Sequence, residues 1–440
     1  MQAERRRAIL ALALPTIGGM MSQNVSNLID TAMVGALGAP ALAGVGFASF
    51  LNFLAFAGIA GLASAVQATS ARRYGEGKFD ETAVPLNGGL LLALLFGVPF
   101  ATLLILGAPW YFPLLNADPE VVEQGLPYLQ LRLLGITAIG MNFAFRGYWN
   151  AVNQAHVYMR TLILMCVLNV VLNYCLIFGK FGLPALGTRG AGIGTSISNW
   201  AGTLYYFWYA LRHQQQSGFL HRMPSRAQLL ALFRLGLPSS MQQMFFAGGF
   251  AVLFWIIGQV GTAELAVANV LVNITLVAVL PAMGFGLAAA SLVSHALGRG
   301  DAQDAHRWAW DVVKIGAFVF VGLGLPMLVL PELVLSAFVR EPELLELGRL
   351  PLQLAGFGIA LEGIGVILMN ALLGAGAAGP VMGIAIGLQW GLFLPLAWWL
   401  GPHLGFGLAV IWFAFIAYRG VQSGLFTLMW ERRSWVSIRI

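Results

Sequence analysis

Apolar runs long enough to cross a bilayer follow one another along the whole chain, and nothing else in the sequence constrains the fold as tightly. A helix rises about 1.5 Å per residue through about 30 Å of hydrocarbon, so a span needs roughly 20 apolar residues. Broken by Gly, Pro and charges, the runs predict twelve spanning helices near 9–37, 41–71, 84–107, 127–150, 157–179, 190–211, 231–260, 263–296, 311–331, 351–374, 379–401 and 405–430. Hydrophobic residues make up 59% of the chain and charged ones 10%, an excess no soluble core can absorb. The expected fold class is therefore an all-α integral membrane protein.

Arg5-Arg6-Arg7 precedes an apolar run that is too long for a signal peptide and lacks a small-x-small cleavage site, so it reads as the first span. An even number of spans puts both termini on one side. That side, counting the helix ends nearest it, holds all of the 24 basic residues except Arg132, Lys180, Arg189, Arg340 and Arg349. The positive-inside rule then makes both termini cytoplasmic. The net charge of +6 resides in these short loops, which excludes a basic face for nucleic acid.

The chain also repeats. A shift of 223 residues carries Pro15 onto Pro238, Gly35 onto Gly258, Gly38 onto Gly261, Gly61 onto Gly284 and Gly75 onto Gly298. It still holds at Leu129-Gln130-Leu131 against Leu352-Gln353-Leu354 and at Gly135-Ile136 against Gly358-Ile359. Six spans per repeat give both halves the same orientation, as parallel repeats. The expected domains are an N-lobe at 1–215, a cytoplasmic linker at 216–230 and a C-lobe at 231–440, packed around a central cleft.

An ionised side chain inside an apolar run costs at least about 2.5–3.5 kcal/mol and marks a functional site by default. Asp30 is such a residue. Gln23 and Asn27 precede it on one helical face, so it ends a polar stripe. Helix 5 carries Asn169 and Asn173 one turn apart, and helix 6 carries Thr195; counted from the outer span ends, all four lie at similar depth. A carboxylate, two amides and a hydroxyl form an oxygen-rich site for Na+ or a proton. The competing reading is that these polar groups knit helices together. Glu362, in helix 10, is a second deep carboxylate; Gln242, Gln243, Asn269 and Asn273 either share its cavity or brace helices. Arg132, Arg146 and Arg419 read as nearer the span ends, able to snorkel.

The six histidines show no metal-ligand spacing, and there is no phosphate loop, nucleophile elbow or HExxH pattern, which argues against an enzyme and against a cofactor. Cys166 and Cys175 lie nine residues apart on one helix, too far for a disulfide.

These features resemble the multidrug and toxic compound extrusion (MATE) transporters over nearly the whole length. The resemblance rests on Pro15, the run Asp30-Thr31-Ala32-Met33-Val34-Gly35 with Gly38, their counterparts Pro238, Gly258 and Gly261, the run Pro281-Ala282-Met283-Gly284-Phe285-Gly286, and Asn169 with Asn173-Tyr174-Cys175-Leu176-Ile177-Phe178-Gly179. It implies two six-helix lobes and a secondary antiporter, working as a monomer among membrane lipids, that exports small organic cations in exchange for H+ or Na+. It also implies that Asp30, Asn169, Asn173 and Thr195 match positions lining the family's N-lobe ion site. Two departures stand out. Members that place the ion in the C-lobe carry a Glu in helix 7, where this chain reads Gln242-Gln243-Met244; some relatives carry an Asp where Asn173 stands. The alternative within the same superfamily is a flippase for lipid-linked precursors, which needs a cationic cleft.

Overall fold

The structure is a computed structural model that describes residues 3–438. Its helices are α1 (Ala3–Gly35), α2 (Ala39–Ala57), α3 (Gly61–Gly75), α4 (Val84–Leu115), α5 (Pro119–Leu133), α6 (Ile136–Ala151), α7 (Ala155–Phe178) and α8 (Thr188–His213) in the first half. The second half holds α9 (Arg226–Val260), α10 (Thr262–Gly298), α11 (Ala302–Val329), the short α12 (Pro331–Ser336), α13 (Pro342–Gly374), α14 (Ala378–Leu388), α15 (Leu394–Trp398) and α16 (Leu408–Glu431). Among the described residues, ten rods are long and apolar enough to cross a membrane. The α5–α6 rod and α8 complete the set but are more polar, because they carry Gln124, Arg132 and Asn142, and Thr188, Thr195 and Ser198. Large apolar side chains project outward, among them Leu103, Trp110, Leu114 and Phe318 at 70%, 79%, 86% and 84% exposure, which suits hydrocarbon and not water. This is a multi-pass membrane protein.

The repeat is visible in the helix boundaries. Adding 223 to Ala39–Gly75, the bounds of α2–α3, gives Thr262–Gly298, the bounds of α10; adding it to Pro119–Ala151, the bounds of α5–α6, gives Pro342–Gly374, the bounds of α13. The halves differ in where rods break. The α2–α3 and α5–α6 rods are interrupted, whereas α10 and α13 run through; α7 is continuous, whereas its counterpart passes through π-helical turns at Gln389–Phe393 and Trp399–His403.

The break before α3 has a local cause. A Cβ on Gly61 would lie 2.0 Å from the Gly236 carbonyl oxygen and 2.6 Å from the Ser240 nitrogen, so α9 packs against bare backbone there. The Gly61 N–H, freed by the break, donates to Ser240 Oγ at 3.0 Å. The second half repeats the contact: a Cβ on Gly284 would meet Ile17 at 2.3 Å and the Ala13 carbonyl oxygen at 3.3 Å. Because 61, 236 and 240 are matched by 284, 13 and 17 through the same offset, each compact unit takes in the first half of the other repeat's leading helix. One unit is Gly18–Met241; the other is the stretch up to Ile17 together with the chain from Gln242 onward.

Within each unit, paired glycines let helix backbones touch. A Cβ on Gly44 would lie 2.8 Å from the Gly125 nitrogen, joining α2 to α5, and one on Gly324 would lie 2.4 Å from the Gly356 carbonyl oxygen, joining α11 to α13. The linker is more structured than a polar tether. Phe219 is fully buried against Phe145 and Phe207, and buried Asn87 donates to the carbonyls of Gly218 and Arg222 and accepts from the Leu220 N–H. Both cysteines are free.

Candidate functional site

The last three turns of α1 carry Ser26 and Asp30, one turn apart. Five residues before the end of α7 stands Asn173, with Asn169 a turn deeper, and Thr195 lies seven residues into α8. The second half of α1, α7 and α8 belong to the Gly18–Met241 unit and bring their polar residues into contact. Asn173 Nδ2 donates to Asp30 Oδ1 at 2.8 Å. The Asn169 amide satisfies its surroundings when its NH2 end faces the carboxylate. It then stands 2.9 Å from both Asp30 oxygens and 3.0 Å from Ser26 Oγ, while its oxygen accepts from Thr195 Oγ1 at 2.9 Å. The structure therefore brings the four residues named from the sequence together, both asparagines on the Asp30 carboxylate and Thr195 one step removed, on Asn169.

Asn169 and Asn173 are buried and Asp30 is half-buried. The partners of Asp30 are neutral amides, and among the described residues no basic side chain forms an ion pair with it. One acceptor is left over. Asn173 Oδ1 is buried and has no hydrogen-bond partner. It fits against α8 only because residue 194 is glycine, since a Cβ there would lie 2.1 Å from that oxygen. The cluster thus holds two carboxylate oxygens, an unpaired amide oxygen packed against α8, and two hydroxyls. Hard oxygens with one net negative charge suit a monovalent cation or a proton, not a transition metal.

Ser26 was not anticipated. The polar stripe traced back from Asp30 runs through Asn27 and Gln23, which lie around the helix from the site and bond each other at 3.4 Å. The signal available was spacing: Ser26 precedes Asp30 by four residues.

Around the second carboxylate the arrangement differs from expectation. Glu362, 7% exposed, pairs with Arg419 of α16; Arg419 Nε donates to Glu362 Oε1 at 3.0 Å, Nη2 donates to the same oxygen, and Nη1 donates to Gln422 Oε1 at 2.6 Å. Arg419 therefore does not snorkel to an interface. Breaking such a buried pair from one side costs about 3–5 kcal/mol, because the other charge is stranded. The structure does not join the other four candidates to Glu362 by hydrogen bonds. Gln242 donates to Met369 Sδ, Gln243 is exposed, and Asn269 and Asn273 donate to carbonyls of their own helix, at Leu265 and Asn269.

Comparison with known proteins agrees with this architecture. The MatE family profile matches residues 15–175 and again 238–399, with starts separated by the same 223 residues as the internal repeat. A probable multidrug resistance protein NorM of Agrobacterium fabrum is 27% identical over 431 residues, covering 96% of this chain and 92% of the relative. The multidrug resistance protein MdtK of Yersinia enterocolitica is 25% identical over 401 residues, covering 90% and 87%. Among solved structures, an outward-facing multidrug resistance MATE transporter of the MOP superfamily superposes with a TM-score of 0.90 at 22% identity, covering 99% of this chain and 97% of that one.

Proposed function

Because this chain belongs to the MatE family of membrane transporters, which are not enzymes, we propose that it is a multidrug exporter that expels small cationic amphipathic compounds in exchange for H+ or Na+, with Asp30 as the coupling carboxylate. The observation that carries this reading is a half-buried carboxylate with only neutral partners beside the buried, unpaired Asn173 Oδ1. A charge so placed is costly until something positive joins it, and two positive ligands can do so: the substrate and the coupling ion.

The residues then divide the work. Ionised Asp30 attracts the cationic substrate while Asn169 and Asn173 donate to its oxygens. When the ion arrives, it neutralises the carboxylate and removes the attraction that held the substrate. Asn169 is suited to both conditions, since an amide presents NH2 to a bare carboxylate and oxygen to a metal cation. Thr195 and Ser26 hold that amide on either side. Substrate and ion thus compete for one charge, which is the chemical requirement of antiport. The two halves, 1–215 and 231–440, would act as lobes that alternate access, joined by 216–230, with both termini in the cytoplasm of a bacterial cell and the protein working as a monomer in its inner membrane. The flippase alternative loses one of its cationic candidates, because Arg419 is already committed to Glu362.

The test is efflux of a fluorescent organic cation from proteoliposomes under imposed H+ or Na+ gradients. One gradient should drive efflux and the other should not. An inert protein under both gradients would overturn the exporter reading.

A further inference from the structure

Both charges of the Glu362–Arg419 pair sit far from the ends of their helices. Arg419 stands eleven residues after Leu408 and twelve before Glu431, about three turns from either end of α16. That distance is beyond the reach of its side chain to a wet interface. Each of its three nitrogens donates instead within the protein, Nε and Nη2 to Glu362 Oε1 and Nη1 to Gln422 Oε1. Aromatic rings of Phe246 and Tyr418 stand 6.0 and 5.9 Å from the guanidinium carbon.

A carboxylate in a membrane interior is neutralised by a proton, by a mobile cation or by a fixed one. Asp30 and Glu362 differ in which of these is at hand. Asp30 has amide partners and a leftover oxygen acceptor; Glu362 has a guanidinium, which stays protonated at every pH a cell meets and is tethered to the chain. An ion from solution would have to displace a covalently anchored rival already making two hydrogen bonds to one oxygen.

We propose that Arg419 is a built-in counter-cation that takes the place a mobile coupling ion would occupy at Glu362, so that the pair positions α13 against α16 and this unit binds no exchangeable ion. The proposal rests on the coupling role of Asp30 only for where the exchangeable ion goes instead. Glu362 is on this account a positioning residue, needed as half of a neutral pair and not as a carboxylate.

A double-variant cycle in the same efflux assay tests it with the full-length protein. Glu362→Gln alone strands the guanidinium and should lower transport about tenfold or more, whereas Glu362→Gln with Arg419→Met should return to within about threefold of wild type, with the same ion requirement. A double variant that is monodisperse and reconstituted at normal levels yet as inactive as the single one would overturn the proposal, because the carboxylate itself would then be required. A second measurement does not depend on those variants folding: uptake of radiolabelled Na+ and of protons by purified Asp30→Asn protein with the pair intact. No bound equivalent is expected, and adding Arg419→Met should create one by baring Glu362. An equivalent that Asp30→Asn retains and Glu362→Gln removes would overturn the proposal. An equivalent retained through both changes would sink the Asp30 reading alone, and the double-variant rescue would still decide the role of Arg419.

Discussion

Replacing Gly194 with alanine should disturb the ion site while leaving the fold nearly intact. The added methyl would stand 2.1 Å from Asn173 Oδ1, against an ordinary contact of 3.4 Å, so the amide must retreat by about 1.3 Å. The obstructing atom is the end of a side chain that can rotate, and alanine in a helix gains about 1 kcal/mol over glycine, so the melting temperature should change little. The site cannot absorb the movement. Asn173 Nδ2 donates to Asp30 at 2.8 Å, and a retreat of that size takes it out of hydrogen-bonding range. A hydrogen bond to a charged group contributes about 1.5–3 kcal/mol, which is a factor of about ten to a hundred in an equilibrium constant. The direction identifies the ion. Na+ loses an oxygen ligand, so its half-saturating concentration should rise about tenfold or more. A proton needs no cage of oxygens, and a carboxylate with one donor fewer holds it more tightly, so the half-saturating proton concentration should fall by a similar factor. The assay is initial efflux rate against ion concentration in proteoliposomes, with Gly46→Ala as control, since a Cβ at Gly46 meets nothing within 4 Å. Identical ion dependence for Gly194→Ala and wild type would refute the reasoning that Asn173 belongs to the coupling site.

Two further predictions concern the scaffold. Asn87→Ala removes both donations to the linker carbonyls and the acceptor for Leu220 N–H, so stability should drop by about 1–3 kcal/mol and the 216–225 segment should become sensitive to protease, read by thermal melting and limited proteolysis. Gly125→Val drives a branched side chain into the Gly44 carbonyl, 2.6 Å from where its Cβ would stand, and should prevent accumulation of folded protein, whereas valine at Gly46 should be tolerated; expression and monodispersity distinguish them.

Much of this architecture could be read from the chain because a membrane limits the choices. Apolar run length predicts the spans, and Gly and Pro positions at one constant offset predict the repeat, since both are direct consequences of sequence. The Asp30 cluster was legible for a similar reason: a deep carboxylate is rare, and helical rise fixes which residues on other spans share its depth. What escaped depends on contacts between distant segments. The breaks in α2–α3 and α5–α6 carry no proline, and the first arises where Gly61 meets Gly236 and Ser240. Ser26 was overlooked because the three-residue step to Asn27 and the four-residue step to Ser26 diverge around the helix. Arg419 was misplaced toward an interface because no sequence pattern links it to Glu362, 57 residues earlier. Phe219 sits in a polar stretch whose composition describes a linker, and only its packing against Phe145 and Phe207 reveals a docked segment.

The most direct measurement is gradient-driven efflux by Asp30→Asn, reconstituted at the wild-type level. Asparagine keeps the size of the side chain and one acceptor oxygen, turns the other oxygen into an NH2 donor, and removes the charge for which substrate and ion compete. Efflux by this variant should no longer respond to either the H+ or the Na+ gradient, while the melting temperature stays near that of wild type. Normal gradient-driven efflux by Asp30→Asn would contradict that expectation, and would place the exchangeable charge somewhere other than this carboxylate.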